Sequence, residues 1–110
     1  MKPPRPQLEL QALIALASLG DEAYGVTVQD EIRSRTGRSA SVAACYAALE
    51  RLARLGLAEA WFSPPRPERG GRSRRHYRLT RAGRDALRHE REAMQRLWRG
   101  IALRAPERSR

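Results

Sequence analysis

The sequence predicts a mostly α-helical domain with one small antiparallel β-hairpin, in the order helix, helix, helix, hairpin, helix. Three observations predict it. Several segments carry apolar residues at a spacing near 3.6, the pattern of helices with one buried stripe. Within RLARLGLAEAWFSPPRPERGGRSRRHYRLT, residues 51 to 80, two strand-like runs flank a loop rich in Pro, Gly and Arg. The length of 110 residues leaves room for one compact domain with a modest core.

Each element has its own local reason. Residues 8 to 19, LELQALIALASL, place Leu10, Leu13, Ile14 and Ala17 at helical spacing, and Gly20 ends the run. Asp21 and Glu22 begin a connector. A second helix is expected from about Gly25 to Arg35, burying Val28 and Ile32, with Gly37 as its stop. Ser39 and Ala40 read as a short extended link.

The third helix, SVAACYAALERLARLG, starts at Ser41, whose hydroxyl can accept a bond from a first-turn N–H. On a 100° wheel Val42, Cys45, Leu49, Leu52 and Ala53 form its apolar face. Ala43, Ala44, Ala47, Glu50, Arg51 and Arg54 form the opposite one. Small side chains let a helix approach another surface closely, and arginines can hold a phosphate or a guanine edge. The same face also reads as a solvated surface of good helix formers. Glu50 could accept from a cytosine or neutralise Arg54, and neutralisation is the favoured reading.

The strand-like runs are LAEAWFS and RRHYRLT. Prolines cannot donate ladder bonds, so Pro64 to Pro67 belongs to the loop, and Gly70-Gly71 permits a turn. Tyr77 and Leu79 alternate with His76 and Arg78, giving an inner and an outer face. A two-stranded ribbon alone is marginal, so the hairpin must rest on the helices. Thr80 then caps a last helix over about residues 81 to 103, with an apolar stripe of Leu87, Met94, Leu97, Trp98 and Ile101. Such a stripe exceeds what one small domain can cover, and its distal four residues are expected to meet a second subunit.

Charge narrows the function. The net charge is +10, and of 22 basic residues 21 are Arg and one is Lys2. A GC-rich codon bias produces the same preference for Arg, so the distribution tells more than the total. Residues 64 to 84 hold eight Arg against one acid, Glu68, a local +7 that leaves only +3 for the rest of the chain. A concentrated positive field points to a polyanion, with nucleic acid ahead of a membrane surface.

Other classes find little support. Cys45 is the only cysteine, which excludes an internal disulfide and fits a reducing compartment. MKPPRPQ has no apolar run behind it, so no signal peptide is expected, and no stretch approaches the roughly 20 apolar residues of a membrane helix. A cytoplasmic setting is the expectation. His76 and His89 lie thirteen residues apart, outside any metal-ligand or triad spacing, and no phosphate loop follows a strand. No catalysis, metal or cofactor is expected.

This order of elements is that of a winged helix-turn-helix, in which the third helix enters the DNA major groove and the hairpin wing meets the backbone or minor groove. AYGVTVQDEI in the second helix, CYAALERLARLGL in the third and GGRSRRHYRLTRAG through wing and last helix resemble the PadR-like transcriptional regulators. Together the matching pieces span roughly residues 8 to 85. Two positions depart from the family pattern. Many members have His-Gly-Tyr where Tyr24-Gly25-Val26 stands, and many have Pro where this chain has Ala47.

The resemblance implies a winged DNA-binding domain over residues 1 to 80, and a dimerisation helix with its tail over residues 81 to 110. It implies a homodimer that represses transcription on double-stranded DNA of two-fold symmetry. The expected DNA contacts are Ser41, Ala43, Ala44, Tyr46, Ala47, Arg51 and Arg54 on the third helix, with Arg69, Arg72, Arg74 and Arg75 on the wing. Tyr46 is the family's recognition-helix tyrosine, with a phosphate contact and a purely structural role both open. Met94, Leu97, Trp98 and Ile101 are the expected dimer contacts. Some relatives hold a flat aromatic effector between subunits, a place Trp98 could line. The competing readings are a winged protein-interaction module and a nucleic-acid binder without sequence preference.

Overall fold

A computed structural model describes residues 6–64 and 73–104. Helix α1 spans Pro6–Leu19, and a short 3-10 turn, Gly20–Glu22, leads to α2 over Gly25–Thr36 and α3 over Val42–Arg54. Strands β1 (Ala58–Phe62) and β2 (Arg75–Leu79) follow, then α4 (Arg81–Trp98). The expected order of elements is the observed one.

Three helices and the hairpin share one core. Leu8, Ala12, Leu13, Ala15 and Leu16 of α1, Val28 and Ile32 of α2, Cys45, Ala48, Leu49 and Leu52 of α3, and Ala58 and Tyr77 of the hairpin are buried. Each large apolar side chain removed from water in this way contributes roughly 1.5–3 kcal/mol before entropy is counted. Burial also pushes the Cys45 thiol pKa up, as befits a small core residue.

The helical wheel misplaces parts of two faces. On α1 only Leu13 of the expected stripe is buried; Leu10, Ile14 and Ala17 instead border α4. On α3 Val42 is exposed and Ala53 half-buried, whereas Ala48, outside the wheel's apolar face, is buried. Val42 sits at the helix's first position, beyond the reach of the core.

The sheet is a two-stranded antiparallel ribbon, with Ala58 opposite Leu79, Ala60 opposite Tyr77 and Phe62 opposite Arg75. It leans on the helices through its free edge. Tyr77 N donates to Ala23 O at 3.0 Å and an isolated bridge joins Tyr24 to His76, while Thr80 N donates to Leu57 O at 3.1 Å between the two strands at the hairpin base. The inner and outer faces follow the expected alternation, with Tyr77 fully buried.

Thr80 caps α4 by accepting from Gly83 N at 3.0 Å, and its own hydroxyl donates to Gly56 O at 2.6 Å. Gly83 is buried against Leu57 O, and a Cβ there would collide with that carbonyl. The first turn of α4 is thereby fixed to the hairpin base. The helix ends at Trp98, five residues short of the expected 103, because Arg99 leaves helical geometry and Gly100 turns the chain at φ 76°. Ile101 therefore lies beyond the helix.

Candidate nucleic-acid interface

The helix-turn-helix is built by local hydrogen bonds. Gly37 closes α2, donating its N–H to Arg33 O, and Gln29 Nε2 donates to Ala40 O at 2.8 Å across the link. Ser41 then caps α3 by accepting from Ala44 N at 3.0 Å. The cap uses an acceptor lone pair of the hydroxyl and leaves its proton available to a phosphate oxygen.

Of the expected contacts on α3, Ala43, Ala47, Arg51 and Arg54 are exposed, as is Ser41. Ala44 and Tyr46 are half-buried and pack on the core. The ring of Tyr46 lies over Gly25, where any Cβ would strike it, and 6.4 Å from the ring of Tyr77. Tyr46 therefore joins α2, α3 and the hairpin. The glycine of the AYGV stretch supplies the space for that ring.

The guanidinium groups divide into tethered and untethered ones. Arg51 Nε lies 3.1 Å from Glu9 of α1. Arg54 makes no ion pair among the described residues. Glu50 is not chiefly the partner of Arg54. It accepts from Arg75 Nε at 2.6 Å, from Arg75 Nη2 at 3.3 Å and from the Tyr77 hydroxyl. The Arg75 bonds first, then that of Tyr77, hold the Glu50 carboxyl below the ordinary carboxylate range, and Arg54 adds a lesser pull. Burial, reinforced by Glu50, raises the pKa of the Tyr77 hydroxyl, so it remains a donor. Arg75 also lies over the rings of Phe62, at 5.0 Å, and Tyr77, at 5.7 Å.

Arg74, on the outer face, donates to Tyr24 Oη at 2.9 Å and sits 4.5 Å over that ring. Arg69 and Arg72 lie outside the described residues. Sequence reasoning does not single out Tyr24, Trp61 or Arg78 here. Trp61 stacks on His76 at 5.4 Å and 18°, Tyr24 meets His76 edge-on at 5.5 Å, and Arg78 covers Trp61 at 4.6 Å. The buried Nδ1 of His76 has no hydrogen-bond partner among the described residues, and the ring is held between the rings of Trp61 and Tyr24. Period-two alternation would have put Trp61, His76 and Arg78 on one face; the neighbouring Tyr24 arrives from another segment and leaves no such trace.

Away from this surface, α1 and α4 enclose a groove of about 630 Å³, lined by Leu10, Ile14, Ala17, Leu87, Met94 and Trp98 among others. Leu87 is packed on the core edge, whereas Met94, Leu97 and Trp98 expose 45%, 69% and 47% of their surface, and Ile101 is exposed too. No group of three or more His, Cys, Asp or Glu positioned to hold a metal occurs among the described residues.

The model of the transcriptional regulator PadR-like family matches residues 13–89. This chain is a PadR-like regulator. The matched span takes in the second half of α1, all of α2, α3 and the hairpin, and the proximal half of α4. Solved structures with the same fold include a transcriptional regulator from Clostridium thermocellum, 22% identical over 88% of each chain with a TM-score of 0.70. A PadR family transcription regulator from Clostridium difficile is 23% identical over 82% of this chain and 88% of its own, also with a TM-score of 0.70. RosR from H. salinarum is 22% identical over 86% and 78%, with a TM-score of 0.65. Among curated proteins no sequence match was found. At these identities the structures carry the fold, and the family match carries DNA-binding transcription regulation. In the winged helix fold the hairpin is the wing, and α3 is the second helix of the helix-turn-helix.

Proposed function

We propose that this PadR-like protein is a homodimeric repressor that binds a two-fold symmetric duplex site. One observation carries the reading. The exposed face of the recognition helix, small at Ala43 and Ala47 and cationic at Arg51 and Arg54, adjoins a wing whose surrounding residues 64 to 84 hold eight Arg against one acid. Alanines let the helix backbone approach base edges, arginines supply bidentate donors to guanine or phosphate, and the basic wing meets the flanking backbone.

Residues 1 to 80 form the DNA-binding unit in this reading, and residues 81 to 110 the dimerisation unit. Met94, Leu97 and Trp98, with Ile101 just past the helix end, meet their counterparts in a second subunit. Apolar side chains this exposed on one helix are otherwise an aggregation liability. A compact dimer of this kind represses most simply by occupying the site that polymerase needs. The groove lined by Trp98 is where a small aromatic effector would sit. No helix among the described residues is long and apolar enough to cross a membrane.

Selection of duplexes from a random pool, followed by footprinting, tests the proposal. Half-sites should repeat about one helical turn apart, near 34–36 Å, or at a multiple. Arg51→Ala and Ala47→Leu should each lower affinity for the selected duplex more than for random DNA, by an amount on the order of 1–3 kcal/mol for a lost base contact. Equal affinity for every sequence would leave a nonspecific binder, and no binding would leave an interaction module.

A further inference from the structure

The ion pair between the recognition helix and the wing has the geometry of a positioning device. Its three groups come from two elements: Glu50 from α3, Arg75 and Tyr77 from β2. Tyr77 is fully buried beneath the hairpin, and its hydroxyl donates to Glu50 Oε2. Arg75, two residues nearer the loop and on the same face, bonds both carboxylate oxygens with Nε and Nη2, at 2.6 and 3.3 Å. The planar guanidinium fork fixes direction as well as distance, which a lysine in its place could not do.

Position along the ribbon matters as much as chemistry. Arg75 lies opposite Phe62, the last pair of the five-pair ladder before the loop. The base of the hairpin is held by Leu57, Ala23 and the buried Tyr77. An isolated two-stranded ribbon is marginal, so its loop end can twist or fray unless something restrains it there. On the inner face Glu50 is that restraint. On the outer face Arg74 meets Tyr24, giving the wing a second contact to the helical body at the same level.

We propose that Glu50 and Arg75 form a latch that fixes the wing against the recognition helix, so that DNA meets both elements as one preset surface. Arg75 is then a positioning residue, not a phosphate ligand. Preset surfaces bind more tightly because less freedom is lost on association. The proposal rests on the DNA-binding reading above for its functional consequence, but the latch itself is testable without DNA.

Electrostatics supplies a discriminating sign. Glu50 is a negative charge on a surface that faces a polyanion. If charge were its whole effect, Glu50→Ala would strengthen binding to every duplex. The latch requires the opposite for the selected site: Glu50→Ala should weaken specific binding about tenfold, a size typical of coupled neighbours, while random DNA is bound as well as or better than before. Arg75→Ala should give a similar specific loss. The double variant should be no worse than either single one, because the latch is already open. Glu50→Gln keeps an acceptor for Tyr77 without the charge and should fall between Glu50→Ala and the unmodified protein.

Two results would overturn the latch. One is additive losses in the double variant, together with an equal loss of random and specific DNA in Arg75→Ala and a flatter salt dependence, the behaviour of a phosphate contact. The other is unchanged amide hydrogen exchange in the wing. With the latch open, amides of residues 58–62 and 75–79 should exchange several-fold faster in Glu50→Ala, with those of the helical core left as before. That readout decides the latch even if the unmodified protein binds no duplex at all, a result that would sink the DNA-binding reading separately.

Discussion

Helices α3 and α4 begin alike and end differently. Each starts at a hydroxyl, Ser41 or Thr80, that accepts from the N–H three residues on at 3.0 Å. Each carries one apolar stripe. On α3 that stripe is filled by the protein's own core, with Cys45, Ala48, Leu49 and Leu52 buried in a helix of 13 residues. On α4, 18 residues long, only Gly83 is buried. Periodicity shows that a helix has an apolar face; it does not say which molecule covers that face. In the dimer proposed above, the contrast is one between an intramolecular and an intermolecular partner, and it can be broken experimentally.

The largest effect is expected from the open stripe. Leu97→Asp with Trp98→Ala should convert dimers to monomers in sedimentation experiments and abolish tight binding to a two-fold site, with helicity by circular dichroism unchanged. A charged group at the centre of an apolar interface and the loss of an aromatic anchor are each among the costliest interface changes. A double variant that stayed dimeric would put the subunit contact elsewhere.

The same contrast sets two single truncations against each other. Leu49→Ala on α3 should cost about 2–5 kcal/mol of folding stability by urea titration, since it opens a cavity in a filled core. Leu97→Ala should cost within about 0.5 kcal/mol at dilutions where unfolding no longer depends on concentration, because surface truncations remove little. Similar losses for the two would mean that α4 is covered by its own chain.

Legibility in the sequence follows the same division. Caps and stops depend on a few neighbouring residues, so Ser41, Gly37 and Thr80 can be placed from the local sequence alone. The alternation that puts Tyr77 inward is equally local. Faces that depend on where another element lies are less legible: Leu10 and Ile14 hold helical spacing but border α4, and Ala48 is buried because α3 sits deeper than its wheel suggests. The end of α4 is obscured because Ile101 extends the apparent stripe past Gly100, where the chain turns. Least legible of all are the partners of charged groups. Glu50 has Arg54 one turn along its own helix, yet its carboxylate is taken by Arg75, 25 residues away. A bidentate fork with a phenol beside it outcompetes a flexible i,i+4 pair, worth only a few tenths of a kcal/mol.

Tethering also sorts the wing arginines, with a smaller expected effect. Arg74 is exposed and bonded to a tyrosine rather than a carboxylate, so its charge remains available to phosphate. Arg74→Ala should weaken random as well as selected duplexes, the selected one somewhat more because the Tyr24 contact goes too, and reduce the slope of log affinity against log salt by about 0.9, the value for one phosphate contact. Arg75→Ala, whose charge is already matched by Glu50, should leave that slope nearly unchanged. Equal slope changes in the two variants would erase the distinction between tethered and untethered guanidinium groups.

The smallest effect belongs to the latch's dependence on acid. Bonds from Arg75 and Tyr77 lower the folded-state pKa of Glu50 below its ordinary value. A carboxyl whose pKa is depressed by folding contributes stability that is fully present above the unfolded value, about 4.3, and is lost as pH falls through the folded one. Arg75 stays charged throughout, because a guanidinium titrates far above this range and its bond to Glu50 raises its pKa further. The difference in urea midpoint between the unmodified protein and Glu50→Gln should therefore be constant from pH 7 to about pH 5 and shrink below about pH 4. Glu31, whose carboxyl is also lowered by Ser18 and Arg35, is present in both proteins and cancels from the difference. The side chains of Glu50 and Arg75 are 39% and 32% exposed, so solvent screens the pair and the effect is modest. A difference that stayed flat into acid would mean that Glu50 acts through its shape and its bond to Tyr77, and that the charge of Arg75 does little to hold the wing.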